Sequence, residues 1–173
     1  MEDPAGTDNR CLEFADREGP ALFSYRPCML RHTPDGRRVR LSLDLRVPAG
    51  QSCGVELRRL DEGTSHTGAG LKIDDKGSVE AMGAAPRPLT QVAPGQWFRV
   101  EITTGSGPQG QCFDVIVAAP GAAEQRFADL PLASRRFADE GSNLIVIYGP
   151  GQRPGSLYVD NVRFRALDSS AGE

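Results

Sequence analysis

Long apolar runs are missing from this 173-residue chain, and with them several classes of protein. No stretch approaches the roughly 20 apolar residues of a membrane span, and the opening MEDPAGTDNR lacks the basic and apolar regions of a signal peptide. Lysine is scarce: Lys72 and Lys76 are the only two, and arginine carries the remaining positive charge. A formal net charge of -3 supplies no basic field, which argues against nucleic acid and anionic membrane surfaces as partners. Aromatic residues make up 6% with a single tryptophan, so material for sugar-stacking platforms is thin. The cysteines, Cys11, Cys28, Cys53 and Cys112, show no C-x-x-C spacing, which disfavours a structural zinc site. Their even number allows two disulfides in any of three connectivities, or four thiols. Cys53 shares strand parity with Val55 and Leu57 and is expected in the core. The chain has neither a Gly-x-Ser-x-Gly elbow nor a phosphate-cradling Gly-Lys-Ser/Thr loop.

What is present is a period of two. VRLSLDLRV places Val39, Leu41, Leu43, Leu45 and Val47 on one face, with Arg40, Ser42, Asp44 and Arg46 on the other. CGVELRRL continues the alternation, Val55 and Leu57 inward, Glu56 and Arg58 outward; the PAGQ link predicts a hairpin between the two strands. AGLKID and GSVEAMG are expected to pair across Asp75 to Gly77. RCLEFA, ALFSYR, QWFRVEITT, QCFDVIVAA, EQRFADL, NLIVIYG and SLYVDNVRFR also read as strands between Gly- and Pro-rich turns. LPLASRRFADE comes nearest to helical periodicity and reads as a loop with at most one turn. Such a series of short strands predicts an all-β, antiparallel two-sheet sandwich, and the absence of a fixed-period repeat disfavours a propeller or solenoid. Residues 10–166 form the expected single domain, with residues 1–9 as a linker stub and 167–173 as a tail. Either a cytoplasmic protein or a domain of a longer secreted chain fits such ends. Their polar, unpatterned character suits the second, which implies a secreted, periplasmic or cell-surface location beside other domains of a parent chain.

The order of the later strands resembles the concanavalin A-like lectin/glucanase jelly rolls, and their laminin-G-like members in particular. A tryptophan opens a strand as W-h-x-h (h apolar) at Trp97, Phe98 and Val100. A closing strand reads hydrophobic-hydrophobic-Asp-[Asn/Asp]-hydrophobic at Tyr158, Val159, Asp160, Asn161 and Val162. The resemblance covers the second half of the chain well and the first half by strand pattern. It implies a jelly roll whose first and last strands lie side by side, CLEFAD beside VDNVRF. It also implies an accessory module of a secreted bacterial protein. Parity places Tyr158 with Val162 and Phe164 in the core, and the resemblance places Trp97 at a buried strand start.

Catalytic patterns of that fold are absent. The E-x-D-x-x-E strand of laminarinase-like enzymes does not occur, and Glu13, Asp16 and Glu18 are spaced so that the sheet splits them. The Q-[IV]-H strand of alginate lyases is missing too, and His32 and His66 read as loop residues. The expectation is therefore a non-catalytic binding module for polysaccharide, including acidic polysaccharide. The alternatives are a structural protein–protein contact module, or a lyase or hydrolase with an atypical site. Outward Arg40, Arg46, Glu56 and Arg58 are the candidate ligand-binding residues, because guanidinium forks match carboxylates. The plainer reading is a solvated face of cross-strand ion pairs, each contributing little. Asp160 with Glu13 or Asp16 could supply oxygen ligands for a structural calcium. The plainer reading has Asp160 and Asn161 hydrogen-bonding nearby backbone.

Overall fold

The computed structural model describes residues 11–16, 28–149 and 155–167. Twelve strands and one short helix account for most of them: β1 (Leu12–Asp16), β2 (Cys28–Gly36), β3 (Val39–Arg46), β4 (Cys53–Asp61), β5 (Thr64–Ile73), β6 (Ser78–Ala81), β7 (Arg87–Gln91), β8 (Trp97–Ser106), β9 (Cys112–Ala118), β10 (Gln125–Pro131), α1 (Arg135–Glu140), β11 (Ser142–Tyr148) and β12 (Gly155–Ala166). They form two antiparallel six-stranded sheets, ordered β1-β12-β3-β8-β9-β10 and β2-β11-β4-β5-β6-β7. The all-β sandwich expected from the period-two pattern is what the chain forms.

The core is the set of inward positions. Leu41, Leu43 and Leu45 of β3, Val100 and Ile102 of β8, and Val115 of β9 face Val55 and Leu57 of β4, Leu71 and Ile73 of β5, and Ile145 and Ile147 of β11. All are shut off from water, and their burial is the main favourable contribution to folding. Cys53 joins this core as a thiol, and Cys112 is a half-buried thiol on β9, so the arrangement with two disulfides is not formed. The side chain of Cys28 lies outside the described residues.

First and last strands do lie together: β1 pairs with β12 from Leu12 opposite Val159 to Asp16 opposite Gly155. The β5–β6 hairpin forms as expected, with the Asp74 carboxylate accepting the Lys76 and Ser78 amides at 2.9 and 2.8 Å. The expected β3–β4 hairpin does not form. The two strands belong to different sheets, because the link after Val47 carries the chain across the sandwich so that their apolar faces meet across the core. Two elements depart from the sequence reading. CMLRHTPDG is strand β2 despite its Pro and Gly, and RPLTQ is an additional strand β7. The ALFSYR stretch lies outside the described residues. LPLASRRFADE contributes the short helix α1, whose Ser134 hydroxyl accepts the Phe137 amide at 3.4 Å.

Candidate functional site

On β4 the inward residues are Cys53, Val55 and Leu57, so Gly54, Glu56 and Arg58 point to the outer face of the second sheet. Glu56 is nevertheless only 1% exposed. Its Oε2 accepts from Arg58 Nε at 2.5 Å and from Thr67 Oγ1 of β5 at 3.1 Å, and its Oε1 accepts from the Tyr148 hydroxyl of β11 at 2.5 Å. Two glycines make the geometry possible. A side chain at Gly54 would fall inside the Tyr148 ring, and one at Gly70 would press on Glu56 and the β4 backbone. Tyr148 therefore lies flat over β4 and closes the carboxylate off. Arg58 and Tyr148 are half-buried at the rim of this cluster, and the exposed Lys72 stands on the same face, opposite Gly54.

A carboxylate withdrawn from water costs several kcal/mol, offset only when its partners and hydrogen bonds are complete. Here they are: both oxygens carry protein donors, one of them a guanidinium. The result is a rigid polar cluster outside the hydrophobic core, with a cation and an aromatic ring at its accessible edge.

The four expected ligand residues do not come together. Glu56 and Arg58 share this cluster, while Arg40 and Arg46 sit on β3, on the outer face of the opposite sheet. Arg40 pairs with Glu101 at 3.3 Å, and Arg46 Nε donates to the Gly95 carbonyl at 2.8 Å and lies 5.5 Å from the Tyr158 ring centre. The expected calcium ligands Glu13 and Asp160 each hold protein donors. Glu13 Oε1 accepts from Ser156 Oγ and the Tyr158 hydroxyl at 2.9 and 3.2 Å, and Asp160 Oδ1 accepts the Asn161 amide at 2.7 Å. Among the described residues, no three His, Cys, Asp or Glu side chains are placed to hold a metal ion. The side chain of Asp16, and Glu18 altogether, lie outside the described residues.

Four placements are corrected. His32 and His66 lie on β2 and β5 rather than in loops. Tyr158 points outward between the buried Leu157 and Val159, and Trp97 is half-buried on the outer face instead of in the core. Tyr148 and Thr67, which complete the Glu56 cluster, carried no sequence signal, because each reaches β4 from a separate strand.

No protein-family model matches the chain, and no curated protein matches it. Solved structures do. It aligns with a sialidase at TM-score 0.64 and 14% identity, covering 91% of this chain and 15% of the sialidase. The marine PL-14 alginate lyase from Aplysia kurodai aligns at TM-score 0.64 and 13% identity, covering 95% of this chain and 85% of the lyase. The Caenorhabditis elegans galectin LEC-6 aligns at TM-score 0.51 and 14% identity, over 88% of this chain and 95% of the galectin. At these identities the likeness is one of fold: the chain has the lectin/glucanase-like, concanavalin A-like jelly roll.

Proposed function

We propose that this jelly roll is a non-catalytic polysaccharide-binding module of a secreted, periplasmic or cell-surface protein, and that it takes uronate-bearing chains on the outer face of the β4–β5–β11 region. The observation that carries this reading is the buried Glu56 carboxylate, fixed by side chains from three strands on a face that adds nothing to the core. Glu56 is the positioning residue. It holds the Arg58 guanidinium and the Tyr148 ring in one orientation, so a ligand meets a preorganised cation and aromatic surface rather than mobile side chains. Arg58 and the neighbouring Lys72 offer charge to a carboxylate of the chain. Because both Glu56 oxygens are engaged by protein donors, it suits an anchor better than a proton carrier, which supports binding without catalysis.

Affinity electrophoresis in gels containing polygalacturonate, alginate or a neutral glucan tests the assignment. Retardation by a uronate polymer is expected, weakened in Lys72→Ala and Arg58→Lys and unchanged in Arg40→Ala. Free migration in every gel, or retardation that Arg40→Ala abolishes and the other two variants keep, rejects this face as the site. Release of unsaturated or reducing ends from any of these polymers would instead make the module an enzyme.

A further inference from the structure

The outer face of the first sheet carries a second arrangement, independent of the Glu56 cluster. Trp97 of β8 stands opposite Arg46 of β3, Arg46 opposite Tyr158 of β12, and Tyr158 opposite Glu13 of β1. Directly opposed residues of antiparallel strands share a face, so these four side chains form one row across four adjacent strands. All four are half-buried, with part of each surface open to water. The row is fixed in place. Gly95 holds Arg46 by its Nε at 2.8 Å, the guanidinium lies over the Tyr158 ring, and the Tyr158 hydroxyl donates to Glu13 at 3.2 Å. Ser156 supports the same Glu13 oxygen from β12 at 2.9 Å.

We infer that this row is a second carbohydrate site, which takes a neutral, hydroxyl-rich glycan chain laid across the strands. The two aromatic rings stand two strand spacings apart, about 10 Å, with Arg46 between them. Successive pyranose rings can set their C–H faces on Trp97 and Tyr158, where the ring quadrupole favours the slightly positive hydrogens. Arg46 donates to ring and hydroxyl oxygens, and Glu13 accepts from hydroxyls at the far end. One cation and one anion sit in the row, so it presents no net charge, and Glu13 repels an acidic chain. That separates it from the face around Arg58, and neither site depends on the other.

Trp97 is the only tryptophan of the chain, so its fluorescence reads this row directly. The intact protein is titrated with cellopentaose, xylopentaose, laminaripentaose and mannopentaose, and with a galacturonate pentamer. A saturable change in Trp97 emission is expected with at least one neutral pentamer. It should weaken about tenfold in Tyr158→Ala, the affinity equivalent of one aromatic contact, and persist in Lys72→Ala. Should Tyr158→Ala fail to melt cooperatively, Glu13→Gln, which keeps the shape and removes the charge, is expected to weaken binding severalfold. Constant emission with all four neutral pentamers, a response to the galacturonate pentamer alone, or full affinity in the folded variant overturns the inference.

Discussion

Glu56 is the one charged side chain among the described residues that is shut off from water, at 1% exposure, and its compensation comes from three separate residues. Removing Arg58 strands a buried negative charge, so Arg58→Ala is expected to cost about 3 kcal/mol in urea denaturation. Glu56→Gln added to Arg58→Ala should recover about 1 kcal/mol of that loss, since the amide carries no charge to strand. A double variant no more stable than Arg58→Ala would mean that the ion pair is not what the fold depends on there. Strand parity in the sequence already put Glu56 and Arg58 outward. Their burial was not legible, because the covering ring, Tyr148, lies 92 residues away along the chain. Cys53 is the opposite case, an inward position that parity assigned correctly. Burial pushes its thiol from the ordinary 9.0 up to about 12. The folded state thus keeps its proton where the unfolded chain releases it. The stability from this group is whole below pH 9.0 and is lost as pH climbs toward about 12. Urea midpoints followed through that window should fall more steeply for the native chain than for Cys53→Ala, and parallel slopes would contradict the assignment.

Among the strands, β12 changes phase along its own length, which strand parity does not anticipate. Asp160 stands opposite Asp44, and the next aligned pair is Arg163 with Ser42, so β12 spends one residue more than β3 between them. That is a β-bulge, with Asn161 in the left-handed region at φ 51°. A residue of that conformation is common as Asn and strained when β-branched. The acid–amide pair therefore reverses the phase of the strand. Before it Tyr158 faces out and Val159 in; after it Phe164 packs toward the core from a position of Tyr158's own parity. Counting alternate residues through a bulge carries the phase of one side onto the wrong face of the other: Phe164 falls inward as parity places it, while Tyr158 and the exposed Val162 do not, and the sequence carries no mark of the extra residue beyond the Asp-Asn pair itself. Asn161 also donates Nδ2 to Asp44 Oδ2 at 2.6 Å, which with Arg99 on Oδ1 at 3.0 Å offsets two carboxylates placed face to face. Asn161→Gly should stay within about 1 kcal/mol of the native chain, trading that hydrogen bond for an unstrained φ. Asn161→Val should lose about 2 kcal/mol. Equal stability of the two variants would show that the bulge does not need a left-handed residue. Elsewhere the local signals held: β3, β8 and β9 alternate as their residues predict, because an unbroken strand with one face on a core has no freedom to change phase.

For the whole molecule, the decisive feature is which strands end up at the four sheet edges, and no local pattern specifies that. The edges are β1 and β10 in one sheet and β2 and β7 in the other. Each is poorly suited to pairing with a second molecule. β1 and β7 are five residues long, β7 carries exposed Arg87 and Pro88, β2 carries exposed Arg31, His32 and Pro34, and β10 breaks register between Phe127 and Leu130. The twelve-residue β12 is different. It is long and largely regular, and β1 covers it from Gly155 to Val159, burying Leu157 and Val159 beneath. β1 and β12 lie far apart in the sequence, so this protection forms only once they meet, a pairing of the largest sequence separation among the described strands. A chain starting after Asp16 should lose on the order of 2 kcal/mol, the packing of Phe14 against the core. It should also associate reversibly with rising concentration in sedimentation velocity, because the bared β12 edge offers unpaired amides and carbonyls to a second copy. Restoring the deleted strand as a separate peptide should suppress that association. A truncated chain that stays monomeric with an unchanged urea midpoint would show that β1 neither stabilises the sandwich nor guards its edge.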